Sequence, residues 1–263
     1  MTELGAHSAP VKRLRRLVEK RTAREDEEAF VVEGRKLLGE ALGAGTNVLD
    51  VFVSPGCDDE VVRRAVANGA SLHVLAPGVL ERVADTVTPQ PVAAIVARTD
   101  VALSTLRTAA FVVVCVDVRD PGNLGTILRV AEGSGAGGVI CCEGCVDAFS
   151  PKTVRASAGS LFHVPVVAGG EPLEVLDRMG RWGVHRLGTD AHRGVPYDSV
   201  DLTVPTALVL GNEAHGLRRD AAEHLDGTVT IPMAGRTESL NVGMAAAVLC
   251  FERARQRRAQ QLR

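Results

Sequence analysis

Apolar positions along this chain fall into two alternating series that meet near residue 100. In the first, Leu14, Leu17 and Val18 recur at helical spacing among Lys12, Arg13, Arg15, Arg16, Lys20, Arg21 and Arg24, which predicts a basic amphipathic helix from Lys12 to Arg24. An acidic patch, Glu25 to Glu28, follows it. Short apolar runs then alternate with helical patterns. Strands are expected at Phe30 to Val32, Val48 to Val53, Leu72 to Leu75 and Val92 to Ala97, with helices from Gly34 to Leu42 and from Asp58 to Ala67. Residues 99–107 are polar and weakly patterned, and read as a linker between a first domain, 1–98, and a second, 108–263.

The second series opens on Phe111 to Val116, a continuous β-branched run of the kind a strand buried on both faces shows. A helix from Asn123 to Glu132, strands at Val139 to Cys142, Thr206 to Leu210 and Val229 to Ile231, and a last helix from Val242 to about Arg258 follow. Repeated strand–helix units predict an α/β fold, a mostly parallel sheet with helices on both faces.

The chain has 263 residues, 46% of them hydrophobic, enough for two modest cores. A net charge of −2 excludes a basic surface overall and leaves room for a local basic face. Six cysteines form no paired Cys-x-x-Cys set at zinc spacing, so no metal site is expected. Cys141, Cys142 and Cys145 follow an apolar run and read as buried thiols, in keeping with a reducing cytoplasm. The polar N-terminus has no apolar signal region, and no apolar run is long enough to span a bilayer. Aromatics are only 3%, which argues against base stacking on an exposed sheet.

Gly133, Gly135 and Gly138 satisfy the Gly-x-Gly-x-x-Gly pattern, but here a helix precedes and a strand follows. Dinucleotide binding needs the reverse order, so that a helix N-terminus meets the pyrophosphate. Helix-terminating glycines explain the pattern, and a nicotinamide oxidoreductase is excluded on that order.

Three segments carry the candidate chemistry. The first, Asn123 to Arg129, follows the turn Asp120-Pro121-Gly122, with Asn123 at the position of a helix cap. The second runs from Leu208 through Gly211, Asn212, Glu213 and Gly216 to Leu217. The third runs from Ile231 through Met233, Ser239, Leu240 and Asn241 into Gly243 to Ala247. Taken singly, each is a capped helix or an ordinary strand-to-helix loop. In order, spacing and context together they resemble the SpoU (TrmH-like) family of RNA ribose 2′-O-methyltransferases, members of the knotted SPOUT class. Ser150 to Ser160 is similar to a stretch found at this place in the family. Phe30 to Gly34 and Thr86 to Gln90 resemble, more loosely, the family's substrate-binding domain, which is related to a ribosomal RNA-binding protein fold. Ala214 and Gly243 stand where the family usually has Gly and Ser.

The resemblance implies a C-terminal trefoil-knot domain, with about Thr206 to Val242 threading a loop, and S-adenosylmethionine as cofactor. It implies a homodimer through that domain, in which Met244 to Leu249 could pack across the interface. It assigns the catalytic site to Asn123, Arg129, Glu213, Ser239 and Asn241, and cofactor contacts to Leu210, Gly211, Asn212, Gly216, Ile231, Met233, Ser239 and Leu240. The substrate it implies is structured RNA, ribosomal first and transfer RNA as the alternative. A catalytically inactive RNA-binding protein of the same fold is a further alternative. Lys12, Arg13, Arg15, Arg16, Lys20 and Arg21 would hold RNA phosphates, unless they pair with Glu25 to Glu28 instead, and Arg155 could touch RNA or a neighbouring subunit.

A sugar hydroxyl is a poor nucleophile while protonated. Its methylation needs in-line positioning and a group that favours loss of the proton. A guanidinium is effectively never neutral in a protein, so the role that suits Arg129 is a cation that holds the target phosphate and lowers the hydroxyl's pKa.

Overall fold

The computed structural model describes residues 3–83 and 90–262. The chain divides into two compact units, Met1–Thr99 with Phe149–His163, and Asp100–Ala148 with Val164–Arg263.

In the first unit, α1 (Ala9–Glu19) and α2 (Arg21–Asp26) replace the single helix expected from Lys12 to Arg24. The break falls at Lys20, whose backbone is extended. The Arg24 guanidinium, only 4% exposed, turns back and donates to the carbonyls of Leu17 and Val18 at 2.6 and 3.2 Å. A buried cation thus satisfies carbonyls that end α1 without a further helical turn. Val11, Leu14 and Leu17 pack into the core, as their spacing requires. The sheet comes from β1 (Ala29–Glu33), β2 (Val48–Val53), β3 (Ser71–Val74) and β4 (Val92–Ala97), with α3 (Arg35–Gly43), α4 (Glu60–Ala67) and α5 (Val79–Val83) among them. Its order is β1-β4-β2-β3. β4 runs antiparallel to β1 and β2, and β2 runs parallel to β3. β4 is a central strand, which accounts for its nearly continuous burial. Thr86 to Pro89 lie outside the described residues.

The second half of the chain runs through β5 (Phe111–Cys115), α6 (Pro121–Ser134), β6 (Val139–Cys141), α7 (Pro151–Ser157), β7 (Val166–Ala168), α8 (Pro172–Arg181), β8 (His185–Thr189) and β9 (Val195–Pro196). It continues through β10 (Thr206–Leu210), α9 (Arg219–Ala222), β11 (Gly227–Thr230) and α10 (Val242–Gln261). Seven strands form one sheet in the order β7-β6-β5-β10-β8-β11-β9, with every pairing parallel. The α/β architecture expected from the alternating pattern, a smaller N-terminal α/β domain and a larger parallel-sheet domain, is the one the structure has.

Two expected boundaries move. α7 packs with the first unit, where Phe149 lies 5.0 Å from Phe30, ring to ring, and Arg98 sits 4.6 Å over the Phe149 ring. Residues 100–107 are no free linker. Val101 N–H donates to the Val166 carbonyl at 2.8 Å, and Leu106 is buried in the core of the second unit. Val101, Leu103 and Leu106 supply apolar contact that a polar-looking average conceals. The glycine triplet behaves as read, since Gly135 is the left-handed cap of α6 (φ 75°) and the chain then enters β6.

Strand order reverses between β5 and β10. From β5 the sheet grows outward to β6 and β7, and later strands build on the other side of β10. Cys115 is in register with Leu210, and Val116 N–H donates to the Leu210 carbonyl at 2.8 Å. Loops leaving the carboxyl ends of these two strands therefore open a crevice at the switch point, the usual ligand site of an open parallel sheet.

Candidate active site

The first loop leaves β5 through Asp117, a non-glycine residue held in the left-handed region (φ 59°). Asp120, not Asn123, caps α6, its carboxylate accepting from Asn123 N–H at 2.8 Å. That corrects the expectation that Asn123 is the cap, and it leaves the Asn123 side chain free to reach other loops. Asn123 Nδ2 donates to Glu213 Oε1 at 3.0 Å, and Asn123 Oδ1 accepts from Asn241 Nδ2 at 2.8 Å. Asn241 is itself the cap of α10, its Oδ1 accepting from Gly243 and Met244 N–H at 2.9 and 3.4 Å. Glu213 also accepts from the Arg119 and Asp120 N–H groups at 3.3 and 3.1 Å. One line of hydrogen bonds thus ties the three sequence segments together.

Burial pushes the Glu213 carboxyl up. The donors on it, Asn123 and the backbone N–H groups of Asp120 and Arg119 among them, outweigh this and hold it below the usual carboxylate range. Glu213 is therefore an ionised acceptor near neutral pH. A carboxylate so engaged is a weak proton acceptor.

The second loop closes on itself. Asn212 and Gly216 exchange backbone hydrogen bonds at 3.0 and 2.9 Å, Asn212 Oδ1 accepts from Ala214 and His215 N–H, and Asn212 Nδ2 donates to the Asp117 carbonyl at 3.0 Å. A Cβ on Gly211 would sit 2.5 Å from Leu217 N, so only glycine fits there. Ala214 does not need a left-handed backbone, which explains how alanine replaces the family's glycine. At Gly243 a Cβ would meet Thr126 at 3.0 Å, because α10 begins hard against α6.

These loops wall a cavity of about 430 Å³, within the range of small-molecule sites. Of the residues expected to hold a cofactor, Gly211, Asn212, Gly216, Ile231, Met233, Ser239 and Leu240 line it. Leu210 is wholly buried one residue behind the wall, paired with β5. Glu213 and Ser239 of the catalytic set line it, and Asn123 and Asn241 reach it through Glu213. Arg129 lies apart, exposed on α6, and has no ion pair or hydrogen bond among the described residues. The segment Thr189 to His192, at the carboxyl end of β8, also lines the cavity. No motif in the sequence marks residues 161–205 as part of the site. The signal there was a strand ending in Thr189-Asp190, where Asp190 Oδ1 accepts from His192 and Arg193 N–H and turns the chain over the cavity.

The basic N-terminal segment is partly self-neutralised. Arg13 bridges Glu27 and Asp50, each at 2.6 Å, Arg16 also pairs with Glu27, and Arg21 pairs with Glu25 at 2.8 Å. Arg155 lies 3.7 Å from Glu33. Lys12, Arg15 and Lys20 keep no ion pair among the described residues. The acid patch reaches the helix because the chain turns straight back into β1. All six cysteines are free thiols, and among the described residues no cluster could hold a metal ion.

A parallel sheet with its crevice at the switch point, walled by three interlocked loops, is the catalytic-domain architecture of the SPOUT methyltransferases. Residues 110–251 match the SpoU rRNA Methylase family, and residues 9–94 match the MRM3-like substrate binding domain. The chain belongs to the SpoU rRNA methylase family. It is 35% identical over 223 residues to the 23S rRNA (guanosine(2553)-2′-O)-methyltransferase RlmP of Bacillus subtilis, covering 84% of this chain and 87% of that one. It is 30% identical over 299 aligned positions to the mitochondrial rRNA methyltransferase 3 of Mus musculus, covering 92% and 71%. Among solved structures, it superposes on the SpoU methyltransferase AviRb of Streptomyces viridochromogenes, in complex with the cofactor AdoMet, with a TM-score of 0.88 at 30% identity, covering 96% and 99%.

Proposed function

We propose that this protein transfers a methyl group from S-adenosylmethionine to a ribose 2′-hydroxyl of ribosomal RNA. The observation that carries the reading is the Asn241–Asn123–Glu213 line at the edge of the cavity. It joins segments separated by as many as 118 positions, and a protein that had abandoned catalysis would have little reason to keep it whole. Ribosomal RNA is favoured over transfer RNA because relatives named for ribosomal RNA match along most of this chain, first unit included.

The cavity suits the cofactor. When bound, S-adenosylmethionine would supply an electrophilic methyl on a positive sulfonium. Asp190, Glu213 and Glu238 place carboxylates on the wall toward a cationic ligand, while Ile231, Met233 and Leu240 offer apolar surface. Gly211 and Gly216 let the backbone approach closely. Asn123 and Asn241 hold Glu213 in one orientation, and Ser239 adds a hydroxyl at the wall. Arg129, exposed on α6, acts as a permanently charged cation toward a substrate phosphate or the developing alkoxide.

The same reading includes a homodimer. Met244 and Phe251, 57% and 47% exposed, lie two turns apart on α10 with the half-buried Ala247 and Val248 between them, a partly exposed apolar stripe. It also includes the threaded path of 206–242, supported by β10 lying mid-sheet while the loops after β10 and β11 meet at one cavity. A cytoplasmic setting agrees with six free thiols and with the lack, among the described residues, of any helix long and apolar enough to cross a membrane.

Mapping of 2′-O-methyl marks on ribosomal RNA from cells with and without this protein tests the reading. One nucleotide should lose its mark in the deletion and regain it with purified protein and S-adenosylmethionine. An unchanged ribosomal map alongside a lost transfer-RNA mark would reassign the substrate. The cofactor should also raise the melting temperature by mass action.

A further inference from the structure

We infer that Arg119 is a substrate-positioning residue that grips a backbone phosphate of the RNA at the mouth of the cavity. The inference rests on the reading of this protein as an RNA methyltransferase.

Arg119 is bound into the site through its backbone, because its N–H donates to Glu213 Oε2 at 3.3 Å while the other oxygen of that carboxylate holds Asn123. Its side chain is aimed by a second tether. Arg119 Nε donates to Asp117 Oδ1 at 2.7 Å, and Asp117 is one of only three described non-glycine residues with a left-handed backbone. Asp117 is also fixed through its carbonyl, which accepts from Asn212 Nδ2 at 3.0 Å. Only Nε is engaged. Among the described residues the two terminal nitrogens have no partner, and the side chain is 72% exposed. A pre-aimed guanidinium with its outer fork open is the form in which Arg takes a phosphate with two hydrogen bonds.

Charge gives the reason for a cation here. The rim around Asn123 carries the carboxylates of Asp117, Asp120 and Glu213, and a polyanion approaching the site meets them first. Arg119 is the cation set among them, and its outer fork faces solvent.

The test is the salt dependence of RNA binding. An unmodified transcript of 23S ribosomal RNA would be titrated with wild type, R119Q and R119K at several KCl concentrations. Loss of one phosphate contact should make the slope of log K against log[KCl] shallower by about 0.7–0.9 for R119Q. R119K should keep the wild-type slope, because the charge remains, but turn over more slowly in single-turnover transfer for want of the fork. Calorimetric affinity for S-adenosylmethionine and the melting temperature should stay near wild type in both. An unchanged slope in R119Q overturns the proposal, as does a loss of cofactor affinity equal to the loss of RNA affinity. Wild type that shows no salt-dependent binding to the transcript would overturn the underlying reading and this proposal together.

Discussion

Asn241 Nδ2 donates to Asn123 Oδ1 at 2.8 Å, across 118 positions of sequence. The bond fixes which way the Asn123 amide faces. A flipped amide would set its NH2 against that of Asn241 and its oxygen against the Glu213 carboxylate, two repulsive contacts in place of two hydrogen bonds. Asn123 is therefore a hinge pin between the second and third loops. Asn123→Asp should be worse than Asn123→Ala, since it puts a second carboxylate 3.0 Å from Glu213. We expect methyl transfer to fall by at least tenfold in both, since a hydrogen bond to a charged group is worth about 1.5–3 kcal/mol. Single-turnover transfer to ribosomal RNA measures it, and wild-type rates in Asn123→Asp would remove this line from the mechanism.

Arg129→Ala should abolish transfer while leaving cofactor affinity nearly intact. Arg129 lies on the outer face of α6 and does not line the cavity. If it stabilises developing charge, its loss should raise the barrier by about 2.7–4 kcal/mol, as for one oxyanion donor. Arg129→Lys should recover little, because an ammonium lacks the planar fork. Calorimetry with S-adenosylmethionine and single-turnover kinetics separate the two effects. Lost cofactor affinity would move Arg129 into the binding pocket.

Phe251→Glu should turn a dimer into a monomer without unfolding the chain. Phe251 is 47% exposed, so a charge there is tolerated in one subunit and opposed by its symmetry mate in two. Light scattering at micromolar concentration reads the change. A monomeric wild type would refute the dimer itself.

Native protein should expose a single reactive thiol. Cys115, Cys141, Cys142, Cys145 and Cys250 are buried, and Cys57 alone is half-buried. Burial pushes the Cys142 thiol up, and it raises Cys145 and Cys250 to about 12 each. A thiol-disulfide reagent at pH 8 should titrate one group promptly and six after unfolding. Fast reaction of several groups would show that the core opens far more readily than its burial implies.

Acid should cost the second unit one ion pair. Arg186 Nε and Nη2 grip Asp226 at 2.9 and 2.7 Å, and this pairing holds the carboxyl at about 2. A depressed carboxyl contributes its full stability above its unfolded value, near 3.8, and loses that contribution as pH falls toward 2. Since Asp226 is about a third exposed, the pair is worth about 1 kcal/mol. Asp226→Asn should therefore melt lower at pH 7, and its deficit should shrink steadily below pH 4. A deficit that is constant with pH would assign the effect to packing.

How far the sequence reaches can be judged element by element. The run Phe111 to Val116 and the stripe Leu14, Leu17 and Val18 are readable because burial on two faces or on one imposes its own local period. The order of the three motif segments is likewise enough for the family, the fold class and the cavity-lining residues Gly211, Met233 and Leu240. What stayed hidden depends on partners far along the chain. Lys20 breaks the first helix because Arg24 turns back to cap it. Residues 149–163 join the first unit because Phe149 finds Phe30. Asn123 reads locally as a cap, yet it is freed by Asp120 and claimed by Glu213 and Asn241. Arg13, Arg16 and Arg21 read either as a phosphate-binding row or as partners of the acidic patch, and the fold chooses the second: Glu27 comes back onto Arg13 and Arg16, while Glu25 meets Arg21 one turn away on α2. Periodicity and motif order are written into neighbouring residues, so the sequence by itself determined the class of fold and the chemistry on offer. Which side chains are spent on one another and which remain free for a ligand is set by long-range contact, and only the tertiary structure decided that.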